Sequence, residues 1–214
     1  GYAFVPREDL LTLEEIARVA KVFAEIGMRK VRITGGEPLI RRNLEHLIEM
    51  IDAMEGVQDI SLTTNGSMLS PSRAVSLKQA GLKRLTISLD ALDDATFKRI
   101  NDVDYPASRV LDGIDNARAA GFSDIKVNAV VRRGFNEHAV LDLVKHFRHT
   151  GCIVRFIEYM DVGETNGWNL DDVIPAADLV DRIDSLYPLE AVSPNYPGEV
   201  AKRWRYRDGA GEIG

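Results

Sequence analysis

"TLEEIARVAKVFAEIGMRKVRITGGEP", residues 12–38, carries the pattern that decides the fold. Its first half places apolar residues at helical spacing. Thr12 stands at the N-cap, Glu15 completes a capping box and Gly27 stops the helix. A short apolar-rich strand, KVRIT at 30–34, follows. The same order of helix, glycine and strand then recurs. NLEHLIEMIDAMEG precedes DISLTTN, and SRAVSLKQAG precedes RLTISLD. ASRVLDGIDNARAAG precedes DIKVNAVV, and NEHAVLDLVKHFRHTG precedes CIVRFIEYM. Gly27, Gly56, Gly81, Gly121 and Gly151 occupy equivalent places. Strands alternating with helices imply parallel strands joined by crossover helices. An open doubly wound sheet and a barrel both satisfy that order.

The strands themselves narrow the choice. Strands covered on both faces read as nearly continuous apolar runs, and these alternate instead. Val31 and Ile33 alternate with Lys30, Arg32 and Thr34; Ile60 and Leu62 with Ser61, Thr63 and Asn65. Leu85, Ile87 and Leu89 alternate with Thr86, Ser88 and Asp90, and Ile125, Val127 and Ala129 with Lys126 and Asn128. Successive side chains point to opposite faces, so one face packs on helices while the other is polar on strand after strand. A curved sheet whose concave side lines a wet, cationic cavity satisfies this, which points to an α/β fold of the partial TIM-barrel type. In the fifth strand Arg155 shares its parity with Ile157 and Tyr159, so its inward face is mixed. Five units end near residue 161, and a full eightfold barrel needs about 250 residues. The expected division is therefore a partial barrel over 1–161 and the start of a C-terminal extension over 162–214. In the latter, PAADLVDRIDSLY forms a helix and GEVAKRWRYRDGAGEIG a strand running into a glycine-rich turn.

At 214 residues, 45% hydrophobic and 28% charged, the composition is that of a soluble globular protein. A formal net charge of −6 argues against general affinity for nucleic acid or a membrane surface. No apolar run is long enough to span a bilayer. Cys152 is the sole cysteine, which excludes an internal disulfide and fits a reducing cytoplasm. It also means that the chain alone cannot supply a cysteine-ligated metal cluster.

Two features invite a ligand. The first is Thr34-Gly35-Gly36-Glu37-Pro38, at the C-terminal end of a parallel strand, where β/α folds bind ligands. A plain strand-to-helix turn explains it equally well on local grounds. It lacks the dinucleotide fingerprint and the P-loop lysine. The second is the inward set Lys30, Arg32, Lys126 and Arg155. A charge on an inner face needs a partner, water or an anion. Asp90 and Glu158 are available for internal pairing, but four cations favour a phosphate- or carboxylate-bearing ligand. Ser61, Thr63, Thr64, Asn65, Thr86 and Ser88 add neutral donors and acceptors at the same rim. The four histidines fall in helical patterns and carry no metal signal. Trp168 and Trp204 fit core or rim packing.

Taken together and in order, VRITGGEPLIRR, LTTNG, TISLDAL, KVNAVV, VRFIEYMDVGETNGW and GEVAKRWRYRDG are more specific than any one of them. The chain resembles, over essentially its whole length, the radical S-adenosylmethionine family of GTP 3′,8-cyclases (MoaA type) of molybdenum-cofactor biosynthesis. That resemblance implies an incomplete (β/α)6-type partial TIM barrel of the radical SAM kind. It implies S-adenosylmethionine contacts at Gly35, Gly36, Glu37, Ser88 and Met160. GTP contacts are implied at Arg32, Thr63, Lys126 and Arg155, with Lys30 and Asn128 as weaker candidates. The implied reaction converts GTP to 3′,8-cyclo-7,8-dihydro-GTP by a 5′-deoxyadenosyl radical mechanism.

Family members carry two cysteine motifs, each holding a 4Fe–4S cluster, and neither is present here. The expectation is a trimmed central piece, inactive alone, of a parent that binds S-adenosylmethionine and two 4Fe–4S clusters. A cytoplasmic homodimer that passes its product to the next pathway enzyme is expected from the family. Three alternatives stay open: a sister radical enzyme with another substrate, a cluster-free ligand-binding barrel module, and an aldolase-like barrel using Lys126 as a Schiff-base lysine.

Overall fold

The computed structural model describes residues 6, 9–162, 167–194 and 201–214. Residues 163–166 and 195–200, which hold parts of two of the motifs above, lie outside the described residues.

Helix α1 (Leu13–Glu25) starts at the capping box foreseen from sequence: Glu15 N donates to Thr12 Oγ1 at 3.1 Å and Thr12 N to Glu15 Oε2 at 2.8 Å. The next elements are β1 (Lys30–Ile33), α2 (Leu44–Asp52), β2 (Asp59–Thr64), α3 (Pro71–Gln79) and β3 (Arg84–Ser88). Then come α4 (Asp94–Asn101), α5 (Ala107–Ala119), β4 (Ile125–Val131), α6 (Val140–Phe147) and β5 (Ile153–Glu158). The chain continues as α7 (Ala176–Asp184), β6 (Leu189–Val192), β7 (Arg203–Tyr206) and β8 (Glu212–Ile213). The glycine that separates helix from strand takes a positive φ, 106° at Gly27 and 109° at Gly81, where a side chain would be strained.

One sheet in the order β1-β2-β3-β4-β5-β8-β7-β6 organises the molecule. Strands β1 to β5 are parallel and in sequence order. The hairpin β7–β8 returns to β5, with Ile213 opposite Val154, and β6 closes the far edge antiparallel to β7. The register puts Arg32 beside Ser61, Thr86 beside Lys126, and Ser88 beside Asn128 beside Arg155, so the polar residues share one face. Ile60, Leu62, Leu85, Ile87 and Val127 point the other way and are completely buried with Ile48, Leu77 and Val110 from the helices. A second cluster, Val140, Val144, Ile183, Tyr206 and Ile213, fastens the hairpin to the parallel strands.

Four inter-strand steps of about 4.8 Å would hold β1 and β5 about 19 Å apart in a flat sheet. Arg32 of β1 and Arg155 of β5 nevertheless line the same cavity, so the sheet curls about its polar face. This is the open, mostly parallel sheet of a partial TIM-barrel-type fold. Among the described residues no helix is long and apolar enough to cross a membrane.

Three features differ from the sequence expectation. Helix α4 was not expected, because DATFKRIN offers little apolar periodicity. It forms because Asp93 caps it, accepting Thr96 N at 2.8 Å, and because it buries Phe97. The C-terminal segment adds β6 and β8 to the strand and turn that were expected, and joins the same sheet as the barrel strands. Helix α1 buries Ala17 and Ala24, while Val19, Val22, Phe23 and Ile26 remain exposed.

Candidate functional site

The polar face opens into two cavities that share Arg32, Arg155 and Gly214. The lower one, about 510 Å³, is lined by Lys30 and Arg32 from β1, Lys126 from β4 and Arg155 from β5. Alternation thus brings together the whole inward cation set. The structure adds Arg84 from β3 and Arg203 from β7. Arg84 shares the parity of Thr86 and Ser88, so alternation could have found it. Arg203 carries no such signal, because only the docked hairpin brings it there.

The carboxylates that serve these cations are not Asp90 and Glu158, the two available on sequence. Asp59 accepts from Arg84 through both nitrogens of one guanidinium edge, Nη2 and Nε, the latter at 3.0 Å. Asp124 lies 3.2 Å from Lys126 Nζ, and Glu212 accepts from Arg203 at 2.5 Å. Asp90 instead accepts Val130 N at 2.7 Å, and Glu158 accepts Ala176 N at 2.7 Å, so both serve the backbone. Burial pushes the Asp90 carboxyl up, against the hydrogen bonds that it accepts. Burial likewise holds the Lys126 amine below the ordinary lysine range. Asp124 opposes that shift, while Arg155 and Arg84 reinforce it. Arg32, where the two cavities meet, makes no hydrogen bond or ion pair among the described residues.

The upper cavity, about 810 Å³, is more apolar. Asn128, Arg155, Tyr159, Met160, Trp168 and Trp204 are among its walls, so both tryptophans belong to the rim. Trp168 Nε1 donates to Tyr159 O at 3.1 Å. Among the described residues, Asn128 Oδ1 is buried without a hydrogen-bond partner. A buried amide oxygen left in that state costs about 1–3 kcal/mol, so a donor reaching it from the cavity gains a strong partner.

Gly35 and Gly36 lie exposed just past β1. Neither has a positive φ, and a Cβ on either would meet nothing within 4 Å. Neither backbone strain nor packing explains the pair, and the open edge leaves room for a ligand to approach the main chain. The next residue, Glu37, points its carboxylate into the protein and caps the 3-10 turn at Pro38–Ile40. It also accepts from Thr64 Oγ1 at 2.6 Å and Asn65 N at 2.7 Å. Thr63 and Ser88 are half-buried on the concave face. Met160 is half-exposed on the wall of the upper cavity.

Cys152 is buried, and burial pushes its thiol up. No group of three or more metal-ligating side chains occurs among the described residues. The described residues therefore have the features of an anion and small-ligand site and no ligand set for a cluster.

A protein named GTP 3′,8-cyclase from Acidothermus cellulolyticus is 53% identical over 214 residues, 100% of this chain and 59% of that protein. One of the same name from Xanthomonas axonopodis pv. citri is 50% identical over 207 residues, 97% of this chain and 62% of the relative. The chain thus spans about six-tenths of the length of these curated relatives. Among solved structures, Streptococcus suis SuiB bound to S-adenosylmethionine aligns with a TM-score of 0.63 at 16% identity, over 83% of this chain and 39% of that one. Methylornithine synthase (PylB) aligns at 0.62 and 14%, over 83% and 53% of the respective chains. At such identities the likeness shows the fold alone. The profile described as the Radical SAM superfamily matches residues 2–147, more than half of the chain, and the chain belongs to that superfamily.

Proposed function

We propose that this chain is the ligand-holding core of a GTP 3′,8-cyclase, which makes 3′,8-cyclo-7,8-dihydro-GTP in molybdenum-cofactor biosynthesis. The observation that carries the reading is the convergence of Lys30, Arg32, Lys126 and Arg155 on one cavity, with the open glycine pair just past the end of β1. The names of the relatives that match the chain end to end support the same reading.

S-adenosylmethionine, when bound and reductively cleaved, supplies the hydrogen-abstracting group. The chain's own residues bind, orient and shield. Gly35 and Gly36 let the main chain approach the amino-acid end of S-adenosylmethionine, with Glu37 beside them. Ser88 and Met160 contact the same ligand from β3 and from beyond β5. Arg32, Thr63, Lys126 and Arg155 hold GTP, with Lys30 at the floor and Asn128 at the wall between the ligands. Guanidinium and ammonium groups match a triphosphate in charge and geometry. Enclosing both ligands on a curved face supplies orientation and excludes water.

The two 4Fe–4S clusters of the family need cysteines that this chain does not contain. Residues 1–161 correspond to the radical SAM core and 162–214 to the start of the C-terminal extension. Homodimer formation, a cytoplasmic setting and delivery of the product to the next pathway enzyme belong to the same proposal and rest on the family. This 214-residue chain by itself is expected to yield no cyclised GTP after incubation with iron, sulfide, reductant and S-adenosylmethionine.

The direct test is equilibrium binding of GTP to the complete gene product. Replacing Lys126 by Ala removes a cation from the phosphate site and is expected to weaken GTP binding tenfold or more, at about 1.5–3 kcal/mol for a charged hydrogen bond. S-adenosylmethionine affinity stays unchanged. GTP affinity indifferent to Lys126→Ala contradicts the substrate assignment and favours a sister radical enzyme.

A further inference from the structure

The carboxylate of Glu37 does not face the open edge formed by Gly35 and Gly36. Its Oε1 accepts from Leu39 N at 2.9 Å and from Thr64 Oγ1 at 2.6 Å, and its Oε2 accepts from Asn65 N at 2.7 Å. Two of these three donors lie 27 and 28 residues away, at the end of β2. Bonds of this length to an ionised acceptor belong to the strong class.

The roles are fixed by valence. Thr64 Oγ1 accepts from Gly66 N at 3.0 Å, so its single proton is free to go to Glu37. Asn65 N can only donate. Thr64, Asn65 and Gly66 therefore hang, directly or through one hydroxyl, on this carboxylate. On its other side the same loop is held by α5. A Cβ on Gly113 would lie 2.5 Å from Gly66 O, Arg109 Nε donates to Ser67 O at 2.9 Å, and Asn116 Nδ2 donates to Leu69 O at 3.0 Å. Thr63 immediately precedes this clamped segment and lies on the concave face, opposite Thr86.

We infer that Glu37 is a positioning residue for the nucleotide site, tying the glycine edge to the end of β2 and thereby placing Thr63. The inference rests on the reading above, in which Thr63 contacts GTP and Gly36 contacts S-adenosylmethionine. A glutamate serving only S-adenosylmethionine has no effect on GTP while S-adenosylmethionine is absent. A tie acts on GTP in either condition. Glutamine in its place keeps the size but turns one acceptor into a donor, which then faces Asn65 N or the Thr64 hydroxyl.

The test measures GTP binding to the complete gene product without S-adenosylmethionine, for the wild type, Glu37→Gln, Thr64→Val, Thr64→Ser and the Glu37→Gln/Thr64→Val double variant. Expected are about tenfold weaker binding in Glu37→Gln, weakening in Thr64→Val, and near-wild-type binding in Thr64→Ser, which restores the hydroxyl. The double variant should lose less than the product of the single losses, because both act through one contact. Should Glu37→Gln fold poorly, the Thr64→Val and Thr64→Ser pair still decides. Wild-type binding that Glu37→Gln and Thr64→Val leave unchanged, or Thr64→Ser as weak as Thr64→Val, overturns this inference alone. A wild type that binds no GTP overturns the substrate reading, and this inference with it.

Discussion

Lys126 sits half-buried on β4 with the Asp124 carboxylate 3.2 Å from its amine. Burial lowers its proton affinity, Asp124 raises it, and Arg155 and Arg84 lower it further, with a net downward shift. The neutral amine therefore appears at a lower pH than for an ordinary lysine. If this amine meets a phosphate, GTP affinity holds below its pKa and falls as pH rises through it. Lys126→Arg, which stays protonated, shifts that fall to higher pH, and a binding titration against pH in both proteins reads the difference. Gly36 allows the complementary prediction. A Cβ there meets nothing and the φ is not left-handed, so Gly36→Ala should change stability by no more than about 0.5 kcal/mol. It should nevertheless weaken S-adenosylmethionine binding, which calorimetry and a melting curve separate. At this scale the strand alternation made the cation set legible, and Asp59, Asp124 and Arg84 follow the same parity. Asp90 and Glu158, available on sequence for internal pairing, do not serve the cations, for a physical reason. Each carboxylate is taken by a backbone N–H from another segment, which no local pattern displays.

Among elements, the repeating helix, glycine and strand were legible because each unit is long and periodic and ends on a glycine. The hairpin was not. β8 has only two residues, too few for a period, and its partner β5 lies more than fifty residues earlier. With the hairpin's placement hidden, so was Arg203 at the cavity wall. Helix α5 shows how an element away from the ligands shapes the site. Gly113 passes so close to Gly66 O that Gly113→Ala must push the helix or the loop aside. Overpacking of this kind costs about 1–3 kcal/mol. Urea unfolding of the complete gene product should show that loss, and GTP binding should weaken with it, because the displaced loop follows directly on Thr63.

For the whole molecule, the curl of the sheet matters more than any single contact. It brings side chains from β1 and β5 to one cavity. The sequence pattern of one polar and one apolar face already implied such a curve. The ordered motifs added the identity proposed for the two ligands. The central claim is that this face holds GTP for ring closure between the ribose and the base. The measurement that tests it most directly is the product formed by the complete, cluster-reconstituted gene product from GTP, S-adenosylmethionine and a reductant, with Arg32→Ala alongside. The account predicts 3′,8-cyclo-7,8-dihydro-GTP from the wild type, and from Arg32→Ala the same product only at much higher GTP concentration. Cleavage of S-adenosylmethionine with GTP left unchanged, or cyclisation indifferent to Arg32, would contradict it.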